Sequence, residues 1–206
     1  YVVDNNSYRG SVTLVREKFP EVNLMVNRDH VGFSKANNQA LEMAAGAYIH
    51  FLNPDTVLPE DFYQKTLAFF KTNPQVGCLG PKLIDGKGAF AQDSKKAFPS
   101  FWISVYKVTG LSRLFKNSPH FNRYYRKDIE EGQCAEVEIL SGCSLLVSRS
   151  ALSSVGGCFD EAYFMYCEDV DLSYRIRLAG FRNYYLPDVT VIHCKGGSTR
   201  NLMYHY

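Results

Sequence analysis

Apolar and polar positions alternate along this chain with two periods, and the places where the period changes mark its elements. Tyr1–Val3 is predicted as a short strand, followed by the polar turn Asp4-Asn5-Asn6-Ser7. From about Gly10 to Phe19, Val12, Val15 and Phe19 share one helical face, and Pro20 ends the run. Val22–Val26 alternates as a strand does. Phe33–Ala45 then repeats Ala36, Ala40, Met43 and Ala44 at helical spacing and stops at Gly46. Tyr48–Leu52 is a continuous apolar strand closed by Asn53-Pro54-Asp55. Strand, helix, strand, helix, strand predicts an α/β fold with a parallel sheet covered on both faces. In such sheets ligands bind beyond the carboxyl ends of the strands, where Asp4 and Asp55 fall. Downstream the pattern predicts a helix over Glu60–Lys71, a strand over Val76–Leu79 and a turn over Asp85–Gly88. Strands are expected over Val137–Leu140 and Leu145–Val147, on either side of Ser141-Gly142, and again over Arg182–Leu186 and Val189–His193.

The most informative stretch is Gly156–Phe181. A glycine pair leads into the apolar, aromatic run Phe159, Tyr163, Phe164, Met165 and Tyr166, which ends abruptly at Glu168, Asp169 and Asp171. Leu172, Ile176 and Ala179 then recur at i, i+4 and i+7, Arg175 and Arg177 come late, and Gly180 suits a C-cap. The acidic start and basic end match the helix macrodipole, so Glu168 and Asp169 have a capping role open to them. Carboxylates that follow an aromatic run also suit the mouth of a pocket, where burial tunes a general base.

Composition narrows the class. The chain has 206 residues, 46% apolar and 21% charged, which suits one globular domain with a single core. A net charge of +2 argues against a nucleic-acid partner. Six cysteines lie scattered, without a C-x-x-C pair, as buried free thiols in a reducing compartment would. No run of 18 apolar residues or signal peptide is present, which points to a cytoplasmic setting. The chain starts at Tyr1 rather than at a methionine, so it reads as a piece of a longer protein.

Charge is unevenly spread. Residues 95–127 carry eight lysines and arginines and no acidic residue, interleaved with aromatics that include Trp102. Such an insertion suits a peripheral contact with the inner face of an anionic membrane, or the acceptor side of a site, with Trp102 in it. A solvated loop whose aromatics pack back on the core is equally compatible. Asp55 and His193 both follow strands. A carboxylate and an imidazole can share a divalent cation with positions left open for phosphate oxygens, although turn and structural roles also suit them.

Taken in order, VVDNNS (Val2–Ser7), NRDHVGFSKANNQAL (Asn27–Leu41), FLNPDT (Phe51–Thr56), GGCFDEAYFMYCEDVDLSYRIRLAGF (Gly156–Phe181) and VIHCKGGST (Val191–Thr199) resemble the family 2 glycosyltransferases. In particular they resemble the rhamnosyltransferase-like branch that builds bacterial surface polysaccharide. The resemblance implies the GT-A (nucleotide-diphospho-sugar transferase) fold, with a Rossmann-like, mostly parallel sheet flanked by helices. It makes residues 1–206 a single, N-terminally truncated domain, with the family's first strand expected ahead of Tyr1. It implies inverting transfer of a sugar, rhamnose being favoured, from a nucleotide-diphosphate donor to a hydroxyl of a glycan or lipid-linked acceptor.

The same resemblance gives the residues their roles. Asp4 matches the nucleobase contact, and Lys35 the stretch flanking the nucleotide. Asn53 and Asp55 take the place of the DxD motif, with Asn53 in the position of its first aspartate. Asp55 and His193 would hold Mg²⁺ or Mn²⁺. Asp169 matches the catalytic base, with Glu168 beside it to place the acceptor. Intact Asp4, Asp55, Asp169 and His193 favour an enzyme over a catalytically inactive nucleotide-sugar-binding or assembly module. Nucleotidyl transfer fits less well, because no Gly-rich phosphate loop is present.

Overall fold

The structure is a computed structural model, in which residues 1–7, 10–99 and 123–194 are described. The chain order is β1 (Val2–Asp4), α1 (Ser11–Lys18), β2 (Leu24–Val26), α2 (Phe33–Met43), β3 (Tyr48–Leu52), β4 (Thr56–Val57), α3 (Phe62–Thr72) and β5 (Val76–Ile84). It continues with β6 (Ala135–Val137), β7 (Ser144–Ser148), α4 (Arg149–Ser154), α5 (Glu168–Leu178) and β8 (Arg182–His193).

β1 and β2 pair in parallel, as the first strand–helix–strand unit predicts. β3 joins neither. It belongs to a six-stranded sheet of order β3-β7-β5-β8-β4, with β6 also on β8. β3 and β5 both run antiparallel to the intervening β7, so they share a direction, and β5 and β8 form the longest, parallel ladder. β3, β5 and β8 therefore share one direction, and the intervening β7 and the short β4 and β6 run against it.

Consecutive residues of β7 show how both faces are covered. Leu145 and Val147 enter a core with Leu152 of α4 and with Leu172 and Ile176 of α5, whereas Leu146 packs with Phe62 and Phe70 of α3. Side chains alternate across a strand, so α3 lies on one face and α4 and α5 on the other. Leu172 and Ile176, one turn apart, are fully buried and anchor α5. Burying two such side chains stabilises by about 3–6 kcal/mol.

Three elements differ from the sequence expectation. The two late strands are one, β8, whose ladder with β5 shifts register between Pro81 and Lys82, beside Pro187, which has no N–H to donate. Strand pairing stops at Val137. Ile139 instead exchanges backbone hydrogen bonds with Lys96, at 3.0 and 2.9 Å. α4 had no periodic signal. It starts at Ser148, whose hydroxyl accepts from the Ala151 N–H at 3.2 Å.

Candidate active site

A groove of about 2060 Å³ runs along the molecule. Part of its wall is strand edge, from Val2, Val3 and β3; β1 and β3 are each paired along one edge only among the described residues. The rest carries polar groups from segments that are far apart in sequence.

The loop after β3 supplies Asn53 and Asp55. The Asn53 N–H donates to Cys143 O (2.9 Å) and the Cys194 N–H to Asp55 O (2.8 Å), so the turn is stitched to β7 and β8. β4 pairs antiparallel with the end of β8, Thr56 opposite His193. That register brings His193 Nε2 to 3.3 Å from Asp55 Oδ1, both side chains largely shielded. The two ligands that the resemblance named for a metal therefore converge on the groove wall. Their spacing is close to the ~3 Å between adjacent ligands of one octahedral ion. Among the described residues no cluster of three or more His, Cys, Asp or Glu forms a metal site, so further ligands would be phosphate oxygens and water.

Glu168 and Asp169 open α5. The capping reading fails for Asp169: its Oδ2 accepts from Lys96 Nζ at 3.2 Å and from the Gly142 N–H at 3.3 Å, both outside its own helix. The helix is entered instead through Tyr166 and Cys167, each at φ 69, without a side-chain cap. Two successive non-glycine residues in the left-handed region carry strain of order 1–3 kcal/mol each, a cost met where surrounding contacts hold a functional turn.

The aromatic run does not bury Asp169 as expected. Tyr163, Phe164 and Tyr166 are exposed, and Phe164 lies against Gly32 and the His30 ring. Burial falls on Glu168 instead. It is 8% exposed, its Oε2 has no hydrogen-bond partner among the described residues, and desolvation raises its carboxyl above the usual range despite nearby backbone N–H groups.

The segment before the acidic pair is held by α2. The Phe33 N–H donates to Phe164 O (2.8 Å) and the Ser34 hydroxyl to Tyr163 O (2.6 Å). The Asn38 amide both donates to and accepts from the Phe159 backbone, at 2.8 and 3.2 Å. Polar residues of the Asn27–Leu41 motif thus position the acidic turn from over a hundred residues away.

Asp4 and Lys35 lie differently from these. Asp4 is buried, and its carboxylate accepts from the Ser7 N–H (3.0 Å) and the Ser11 hydroxyl (3.2 Å), fixing the turn whose Asn5, Asn6 and Ser7 line the groove. Lys35 is exposed on α2 and does not line the groove. Trp102 lies outside the described residues. The described ends of the basic segment are built into the fold. Lys95 is 2% exposed, with Nζ donating to the Arg126 and Ile129 carbonyls at 2.7 Å, and Phe98 packs edge-on against Tyr174. Lys96 and Tyr124 line the groove. Lys96 and Gly142 are the site residues that sequence reasoning missed. The signal for Lys96 was hidden in a basic run that reads as surface.

The glycosyl transferase family 2 profile matches residues 1–156. The chain is 32% identical over 209 residues to the N-acetylglucosaminyl-diphospho-decaprenol L-rhamnosyltransferase of Mycobacterium tuberculosis, covering 96% of this chain and 67% of that protein. It is 29% identical over 169 residues to the rhamnosyltransferase WbbL of Escherichia coli, covering 79% of this chain and 60% of the relative. Among solved structures, the mannosyltransferase PcManGT of Pyrobaculum calidifontis, in complex with GDP-Man and Mn²⁺, superposes with a TM-score of 0.61 at 20% identity. That match covers 98% of this chain and 49% of the other. TarS of S. aureus gives 0.61 at 18% identity, covering 94% of this chain and 30% of its own. These likenesses bear out the GT-A fold. With the profile spanning most of the chain and a relative at 32% identity, this chain belongs to the family 2 glycosyltransferases and is rhamnosyltransferase-like.

Proposed function

We propose that this chain carries the donor site and general base of an inverting, metal-dependent glycosyltransferase. It moves a sugar, with rhamnose favoured, from a nucleotide-diphosphate donor to a hydroxyl of a glycan or lipid-linked acceptor in bacterial surface polysaccharide synthesis. The observation that carries this reading is that Asp169 and the Asp55–His193 pair, 114 residues from Asp55 to Asp169 along the chain, line one groove. Two rhamnosyltransferases among its relatives support the sugar, and the name of the mycobacterial one points to a polyprenyl diphosphate-linked acceptor.

In this reading Asn5, Asn6 and Ser7 border the nucleoside end of the donor, and Asp4, which fixes their turn, is assigned the nucleobase contact. Lys35, exposed and off the groove wall, would act only from its margin. Asn53 holds the turn that presents Asp55. Asp55 and His193 would hold a Mg²⁺ or Mn²⁺ ion, whose charge would offset that of the donor diphosphate. The acceptor oxygen forms its bond to the anomeric carbon as the bond to the diphosphate oxygen breaks, and Asp169 takes the hydroxyl proton. Glu168, buried and biased toward its neutral form, can donate a hydrogen bond to the acceptor.

No helix among the described residues is long and apolar enough to cross a membrane. The basic and aromatic segment around Trp102 supports a peripheral contact with the inner membrane face.

Calorimetric titration of dTDP and UDP, each with and without Mn²⁺, tests the donor site. Binding is expected to need the ion and to fall at least tenfold in Asp55→Ala. Asp169→Asn should bind donor as the wild type does and lose transfer. Metal-independent binding, or transfer surviving in Asp169→Asn, would sink this reading.

A further inference from the structure

We propose that Lys96 is the positioning residue of the base: its ammonium, with the Gly142 N–H, fixes one oxygen of Asp169 in place and leaves the other for the acceptor hydroxyl. This rests on Asp169 being the base.

The geometry is asymmetric. Both contacts go to Oδ2, from Lys96 Nζ at 3.2 Å and Gly142 N at 3.3 Å. No described residue bonds Oδ1. A carboxylate fixed through one oxygen cannot rotate freely, so its free oxygen keeps a constant aim into the groove that Lys96, Gly142 and Asp169 line together. The ion pair is well shielded, with side-chain exposures of 11% and 14%, so solvent screening weakens it little.

Lys96 cannot itself be the base. Burial lowers its amine, but Asp169, Tyr124 and Asp93 outweigh burial and the net shift is upward, so it stays an ammonium. It exchanges no proton in the transfer. The other groups facing this pair are Glu168 on α5, which burial biases toward its neutral form, the Tyr124 hydroxyl, Asp93, and the buried Cys78 thiol of β5. Lys96 is the cation set among them. Its backbone is held independently, by the Lys96–Ile139 bridge, so side-chain substitution leaves that pairing in place.

The test compares Lys96→Met, Lys96→Gln and Lys96→Arg in donor turnover, read as nucleoside diphosphate release, with the fold checked by thermal melting. In both neutral variants kcat is expected to fall about a hundredfold while KM changes little, because a loosened carboxylate is misaimed while the groove keeps its walls. Lys96→Arg should restore kcat, since it keeps a cation beside Asp169 Oδ2. An unchanged kcat in both neutral variants, with the fold intact, overturns the proposal, and so does Lys96→Arg behaving like them. If Asp169→Asn keeps full turnover, the assignment of the base falls instead.

Discussion

Gly32 offers a quantitative test of how the acidic turn is held. It precedes α2 at φ 89, ψ 166, a region essentially closed to residues with a side chain. A Cβ there would sit 2.7 Å from the Phe164 carbonyl oxygen and 2.8 Å from its ring. Gly32→Ala therefore incurs backbone strain of about 1–3 kcal/mol. It must also push back a carbonyl that accepts from the Phe33 N–H at 2.8 Å, losing about 1 kcal/mol more. The expected destabilisation is roughly 2–4 kcal/mol, a fall in Tm of about 5–15 °C for a chain of this size.

Gly88→Ala is the control. Its φ is 83, but nothing lies within 4 Å of the added carbon, so it feels the strain alone. Denaturant and thermal unfolding of both variants separate strain from collision. Because Phe164 lies four residues before the acidic pair, the proposed function predicts that Gly32→Ala also lowers kcat, while donor affinity, assigned there to Asp55 and His193, changes less. A Gly32→Ala no less stable than Gly88→Ala, or one that loses donor affinity and turnover equally, would refute this account.

Two predictions concern pH. His50 is pushed down to about 4 by burial, stacked on Phe62 and bonded to Tyr63 and Ser144, so the fold favours its neutral ring. With an unfolded value near 6.5, its contribution is present above that pH and lost as pH falls toward about 4, in all about 3 kcal/mol. His50→Phe should lose less stability over that interval in urea titrations at stepped pH, and an unchanged pH slope would contradict the burial argument. Glu168 has the opposite sign. Its raised folded value means the native state holds a proton that the unfolded state releases above about 4.3, so stability declines as pH rises through that window. Glu168→Gln should therefore melt higher than the wild type at pH 7 and match it near pH 4; a difference independent of pH would count against the assignment.

Much of this protein was legible without a structure, for a local reason. Periodicity reports which residues face a core, so α2, β3, α3 and α5 begin and end near where Ala36, Phe51, Phe70 and Leu172 predict. Short polar signatures at strand and helix ends marked Asp55, Glu168, Asp169 and His193, because the carboxyl ends of strands are where such sheets expose groups to ligands. Family resemblance followed from those same segments.

Other features depend on contacts between segments that no local pattern encodes. The separation of β1 and β2 from the larger sheet, the joining of two strands into β8 and the placing of Asp55 against His193 are matters of strand pairing. Which carboxylate is buried was also decided in three dimensions. The aromatic run before Glu168 and Asp169 faces outward, and the lysine on Asp169 comes from position 96, in a segment whose charge reads as surface. Composition measures how much charge a segment carries. Where one of those charges ends up is a matter of the fold: the Lys96 backbone bridges Ile139, and its side chain is turned inward, onto Asp169.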